Sequence, residues 1–254
     1  MHTTFKDPMG ANLGFRNLRI IARGTTLLAL LATYFPAQVF VNKQRLRINQ
    51  IWANAWLKAL GVRIDLQGAT ITAHAVLVSN HIGWLDPLVL GYLWPARFIT
   101  SQSTHANPLL GSVCTMAGCC FVSRKPWSLV KEIEGLRHGL AREGRMAFFP
   151  EATSSPGKDI LPFRSAFFEI ARQAHLPVQP VYIAWDHAVY GYHGEMGFAQ
   201  SLWNVMSHPK GCISIRVLDP ILPNPQQDRK QLALEAETRI RNCHETWNPI
   251  TAHN

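Results

Sequence analysis

The stretch AVLVSNHIGWLDPLVL (75–90) decides the fold. Its first five residues are a β-rich run, and the helical stretch Pro87–Leu93 follows within a few residues. The same alternation repeats outward in both directions. Candidate strands are VRIDLQ (62–67), AVLVS (75–79), RFIT (97–100), CCFVS (119–123), RMAFF (145–149), PVQPVYIAW (177–185) and CISIRVL (212–218). Candidate helices are Pro87–Leu93, Pro108–Met116, Ser128–Glu143, Arg164–Ala174 and Gln226–Cys243. Strands alternating with helices predict an α/β fold, a single domain whose central mixed sheet is flanked by helices on both faces. There is no repeat, low-complexity tract or Gly/Ser linker, so no boundary is drawn inside 61–254. Residues 186–210, rich in Gly, His, Tyr and Trp, read as a long irregular insertion.

The 254 residues carry a net charge of +9, yet only 16% are charged and 47% are hydrophobic, which excludes a disordered chain. Residues 1–50 hold seven of the basic side chains (Lys6, Arg16, Arg19, Arg23, Lys43, Arg45, Arg47) and one acid, Asp7, leaving +3 for the rest. Between Arg23 and Lys43 lie nineteen uncharged residues, GTTLLALLATYFPAQVFVN. A nucleic-acid arm would intersperse its basic residues with polar ones, so an anionic membrane surface is the expected partner, and nucleic acid is not. As a helix the run reaches roughly 28 Å, just short of a hydrocarbon core of about 30 Å. Pro36 lies inside it. Three arrangements fit: a single spanning helix; a re-entrant or interfacial hairpin bent at Pro36, which matches the two basic flanks better; or a buried core helix with basic ends. Arg45 to Leu60 reads as an amphipathic helix, with Leu46, Ile51, Trp52, Trp56 and Leu60 available for its apolar face. The chain therefore divides into an N-terminal membrane-associating helical segment, 1–60, and a body, 61–254.

Five cysteines (Cys114, Cys119, Cys120, Cys212, Cys243) without Cys-x-x-Cys spacing fit a reducing compartment and offer neither a zinc site nor a disulfide framework. Neither a Gly-rich phosphate loop nor a Gly-x-Ser-x-Gly elbow is present. Chemistry is read instead from His81 and Asp86, five apart. A tight turn with Gly83 would bring the Asp86 carboxylate to one imidazole nitrogen and leave the other as a general base. The bare spacing is weak evidence, since His2 and Asp7 share it. Context strengthens it: Arg124 ends the strand in GCCFVSRK (118–125), and Glu151 follows RMAFF in the hydroxyl-rich FFPEATSSPG (148–157). Ligand sites in α/β sheets lie beyond the carboxyl ends of strands, where His81, Arg124 and Glu151 all fall.

In order, NHIGWLD, GCCFVSR, FPEATSS and LPVQPVYI resemble the four motif blocks of the glycerolipid (1-acylglycerol-3-phosphate type) O-acyltransferases. The basic-apolar N-terminus and the Trp-containing helix ending LGVRIDLQG also look like that family. The resemblance implies transfer of an acyl group from acyl-CoA or acyl-carrier protein, as co-substrate, to the free hydroxyl of a lysolipid in the membrane. It makes His81 the base, Asp86 its orienting partner, and 61–254 the acyltransferase domain. It assigns Arg124 to a phosphate, Glu151 and Thr153 to the acceptor, and Arg164 to a basic position near the acceptor site. No bound cofactor and no metal are implied, and the site is expected on the cytoplasmic side of a membrane, the inner one in a bacterium.

Two departures stand out. Where the family commonly has Gly-Thr-Arg after the Glu, this chain has Ala152-Thr153-Ser154. Ala152 disfavours a positive φ, which predicts a turn built differently. Ser154 lacks the guanidinium that would grip a phosphate with two bonds, which shifts the expected acceptor from lysophosphatidic acid toward lyso-ornithine lipid or another lysolipid. A non-catalytic lipid- or acyl-CoA-binding relative, or an acyl thioesterase, is the alternative reading.

Overall fold

The computed structural model describes residues 13–40, 44–106, 108–123 and 128–247. A seven-stranded mixed sheet forms its centre: β1 (Val62–Gly68), β2 (Ala75–Ser79), β3 (Arg97–Ser101), β4 (Cys120–Val122), β5 (Arg145–Phe148), β6 (Val178–Trp185) and β7 (Gly211–Val217). Their spatial order is β1-β7-β6-β2-β5-β3-β4. All neighbours run parallel except β6 and β7. All seven strands fall within two residues of their predicted ends.

β2 is the middle strand, and every residue of AVLVS is buried, as a strand covered on both faces must be. Ala75 and Leu77 join one apolar cluster with Ala147, Ile183 and the helices α1 (Leu13–Phe40), α2 (Arg45–Leu60) and α3 (Asp86–Leu93). Val76 and Val78 point the other way, into a second cluster with Met146 and Phe148. That face is covered by α6 (Leu129–Glu143), α7 (Phe168–Ala174) and α9 (Arg229–Thr246). The short α4 (Gln102–His105) and α5 (Pro108–Ala117) connect β3 to β4. The expected boundary falls at Gly61, whose left-handed φ of 73° ends α2, and one apolar cluster spans both sides of it.

Three local expectations are revised. First, α1 continues through Pro36 instead of folding back there. The ring removes only the backbone bond to the Ala32 carbonyl; Leu27 and Tyr34 pack with Trp52 before it, and beyond it the buried Gln38 donates to Asn49 Oδ1. Second, Ile51 is exposed; the buried face of α2 is Trp52, Ala53, Trp56, Leu57 and Leu60. Third, the insertion 186–210 contains a helix, α8 (Phe198–Ser207), and α7 begins four residues later than predicted, after overlapping three-residue turns.

Arg23 does not flank the apolar run as a leaflet-facing cation. It is buried, and its guanidinium donates to the carbonyls of Val205 (3.3 Å), Met206 (3.1 Å), His208 (2.5 Å) and Pro209 (2.8 Å). Arg19 adds a 2.7 Å bond to Ser207 O. The last carbonyls of a helix lack intrahelical partners and carry its negative dipole end, so two arginines of α1 cap α8 from outside. Arg23→Met should cost roughly 2–3 kcal/mol of stability, the worth of charged hydrogen bonds to buried carbonyls. It should also speed amide hydrogen exchange across 198–208, with Arg23→Lys recovering part of both; exchange unchanged in Arg23→Met would contradict the cap.

Candidate active site

His81 leaves the carboxyl end of β2 and Asp86 opens α3. The five-residue turn between them closes, with His81 Nδ1 2.9 Å from Asp86 Oδ2. That oxygen also accepts the main-chain N–H groups of Ile82 (2.6 Å) and Gly83 (2.8 Å), while Oδ1 accepts Trp185 Nε1 (2.9 Å). Asp86 is fully buried, so these four donors and the helix N-terminus replace its hydration. The turn needs glycine at 83, because a Cβ there would lie 2.4 Å from the Tyr190 carbonyl oxygen. Its N–H, spent on Asp86, cannot also serve a reacting oxyanion.

A carboxylate oxygen can only accept, so Nδ1 donates to an ionised Asp86 and the Nε2 lone pair has no partner among the described residues. The imidazole is 21% exposed. Its face is stacked on Phe149, ring centroids 4.1 Å apart and 17° from parallel. Asn80, just before it, exchanges two bonds with the main chain of Ile183 in β6, 2.8 Å each, extending the β2–β6 ladder past its last paired residue. The ring is therefore held by its own strand, by Phe149 just past the end of β5, and by β6 through Trp185 and Asn80. Sequence reading missed Trp185 and Phe149. Trp185 closes the apolar strand PVQPVYIAW with a single indole N–H, but its partner lies 99 positions away.

The loop after β5 wraps the same edge. Ser155 N–H donates to His81 O (2.8 Å), Tyr192 N–H to Ile82 O (2.9 Å), and Ser154 Oγ bonds Tyr192 O. Glu151 is buried beside them, and neither of its oxygens has a hydrogen-bond partner. Burial pushes its carboxyl up to about 8; the Asp86 charge adds to this, and the His81 main-chain N–H opposes it. Thr153 and Arg164 are exposed at the same end, Arg164 tied by its main-chain N–H to Pro150 O. Arg124 lies outside the described residues. The residues on either side of that gap are fastened together, Glu132 accepting Ser123 N–H (2.9 Å), Ser123 Oγ (2.6 Å) and Ser128 Oγ (2.9 Å). Among the described residues no cluster of three His, Cys, Asp or Glu side chains is placed to hold a metal.

Residues 63–184 match the Acyltransferase family. A lyso-ornithine lipid O-acyltransferase of Brucella abortus is 30% identical over 186 residues, 65% of this chain and 69% of its own. The chain belongs to the acyltransferase family. A lyso-ornithine lipid O-acyltransferase of Pseudomonas aeruginosa is 27% identical over 88% of this chain and 93% of its own. The crystal structure of a 1-acyl-sn-glycerophosphate acyltransferase from Thermotoga maritima shares the fold, with a TM-score of 0.68 and 17% identity over 91% of this chain and 95% of that one. The chain is thus an acyl-transferring enzyme with the mixed α/β sheet of that structure.

The Ala152 turn is not rebuilt around its missing glycine. Ala152 sits at φ 62°, in the left-handed region. That conformation costs an L-residue about 1–2 kcal/mol, part of which a glycine returns through unfolded-chain entropy. Ala152→Gly should therefore raise the melting midpoint by about 1–3 °C; a lower midpoint would show that the alanine methyl packs usefully.

Glu151 gives a second expectation. Its folded value is raised to about 8, so unfolding releases its proton at intermediate pH. The stability it contributes is complete below the ordinary carboxylate range and is lost as pH rises through about 8. Glu151→Gln removes that dependence. The melting midpoint of the variant relative to wild type should climb from pH 5 to about pH 8 and then level off. A difference that stays constant with pH would mean the carboxylate is already ionised in the fold.

Proposed function

We propose that the enzyme moves a fatty acyl group from an acyl thioester to the free hydroxyl of a membrane lysolipid, with His81 as general base. The observation that carries this is the imidazole with Nδ1 tied to Asp86 and Nε2 unengaged at the strand-end edge. Nε2 takes the proton of the acceptor hydroxyl as its oxygen attacks the thioester carbonyl. Asp86 holds the tautomer and stabilises the imidazolium. The C–S bond then breaks, and the leaving sulfur of coenzyme A or of a carrier protein takes the proton back from His81. The hydroxyl attacks directly, so no enzyme nucleophile is needed. The N–H groups of Thr153 and Ser154, which donate to no described residue, are the proposed donors to the thioester oxyanion. Glu151 and Thr153 hold the acceptor, and Arg124 and Arg164 meet anionic groups on acceptor or donor.

Lyso-ornithine lipid is the proposed acceptor, ahead of lysophosphatidic acid. Ser154 turns its hydroxyl to the Tyr192 carbonyl, so position 154 offers no guanidinium to a phosphate. The names of the Brucella abortus and Pseudomonas aeruginosa relatives support the same choice. The exposed Arg164 keeps lysophosphatidic acid as the second reading.

The proposal also lays α1 on the cytoplasmic leaflet, that of the inner membrane in a bacterial cell. The stretch Gly14–Gln38 is long and apolar enough to cross a membrane, and only 22% of its most apolar window is buried. Phe15, Leu18, Ile21 and Leu28 stand out from it, each more than 60% exposed. The exposed hydroxyls of Thr25, Thr26 and Thr33 bond back to carbonyls of their own helix, so this face spends its donors internally. Arg16 and the exposed Arg47 are the proposed contacts to lipid phosphates.

The test incubates the full chain in anionic vesicles with labelled acyl-CoA or acyl-carrier protein and each acceptor in turn. Acyl transfer to lyso-ornithine lipid should exceed that to lysophosphatidic acid. His81→Ala should lower kcat by about 10²–10⁴ with vesicle binding intact. Near-wild-type turnover in that variant would overturn the mechanism. Thioester hydrolysis without acceptor would point to a thioesterase, and donor binding without turnover to a non-catalytic relative.

A further inference from the structure

Away from the site, the turn from α5 into β4 places two cysteines against each other. Gly118, at φ 78°, donates its N–H to Thr115 O (3.0 Å), and Cys119 donates its N–H to Cys114 O (2.9 Å). This pair of nested bonds is the Schellman ending of a helix, which packs the side chain three positions inside the helix end against the one two positions beyond it. Here both are cysteines. The 2.9 Å bond between their main chains leaves the two Cα atoms at most about 6.8 Å apart with standard backbone lengths, within the span of a disulfide. Both thiols are free and half-buried. Cys120, the next residue, opens β4, whose side chains alternate between faces, and its sulfur accepts Arg97 Nη1 at 3.7 Å.

We propose that Cys114 and Cys119 form a dithiol modification site, joined as a disulfide by a two-electron oxidant of the peroxide class. The Cys114 thiolate attacks a peroxide oxygen: an S–O bond forms, the O–O bond breaks, and the leaving hydroxide takes up the thiol proton as water. The Cys119 sulfur then attacks the Cys114 sulfur, forming the S–S bond while S–O breaks, and its own proton leaves with the second water. Two thiols lose two electrons and one peroxide becomes two waters. Cys114 is the proposed attacking residue: the neighbouring Cys119 draws its thiol below the ordinary range, while that same neighbour and burial hold Cys119 well above its own.

Sequence alone could not have paired them, because the five-residue spacing matches no disulfide or metal motif. The left-handed Gly118 turns the chain back and makes the pair. The linked turn also sits under α2, where Asn49 Nδ2 bonds Ala117 O at 2.7 Å. Oxidation there would staple the entry to the strand that leads to Arg124.

The test treats the full chain in detergent with hydrogen peroxide, blocks free thiols with iodoacetamide and digests with trypsin. The peptide 98–124 carries all three cysteines of this region. Wild type should yield this peptide two hydrogens lighter with one alkylated cysteine, and Cys120→Ser the same loss with none; dithiothreitol should reverse both. Cys114→Ser and Cys119→Ser should each show no loss of two hydrogens. Three alkylated cysteines after peroxide in wild type, or a loss that persists in Cys119→Ser through Cys120, would overturn the site.

Discussion

The structure depends on a buried carboxylate. Asp86 has no contact with solvent, and an ionised group so placed costs several kcal/mol unless its oxygens are fully bonded. Its four donors come from two segments: His81, Ile82 and Gly83 in the turn after β2, and Trp185 at the end of β6. Each donor constrains more than itself. The N–H groups of Ile82 and Gly83 fix the turn, the turn requires a residue without Cβ against Tyr190, and Trp185 is braced by stacking on Tyr190 at 4.4 Å. Satisfying this one charge sets the angle between the central strand, its neighbour and α3. The imidazole is oriented as a consequence.

A second buried carboxyl, 70 positions from His81, is treated in the opposite way. Neither Glu151 oxygen has a full hydrogen-bond partner, and the nearby His81 main-chain N–H only partly offsets burial, which raises the carboxyl to about 8. Two acids within one strand-end edge are thus treated differently by environment alone, one accepting four hydrogen bonds and the other raised well above the ordinary carboxylate range. An incoming hydroxyl or amide that bonds Glu151 would relieve an orphaned polar group, whereas Asp86 is already satisfied.

The seven strands were legible because each is a local pattern: an apolar or alternating run between turn residues, with its meaning fixed within a few positions. The His81–Asp86 contact was legible for the same reason, both partners lying in one short turn. What escaped reading is set by distant partners. Arg23 looks like a flanking charge until the end of α8, more than 180 positions away, is folded against it. α8 itself was hidden by flanks rich in Gly, His and Tyr, and it buries only Ser201 and Val205 to advertise a helix. Ala152 was read from its intrinsic preference, but the bonds of Ser154 and Ser155 to the neighbouring loops hold its φ positive against that preference.

These long-range partners also tie the exposed helix α1 to the chemistry. Arg19 and Arg23 hold the carboxyl end of α8, and the buried Ser201 within α8 accepts Trp84 Nε1 at 3.1 Å. Trp84 lies between Gly83, which donates to Asp86, and α3, which Asp86 opens. On its other sides it meets Phe198 of α8 and Trp56 of α2 edge to face. A displacement of α1 relative to the sheet would therefore have to break charged hydrogen bonds at α8 or shear the aromatic contacts around Trp84. The insertion that looked irregular in sequence is the element through which the N-terminal helix and the His–Asp turn are built as one packed unit.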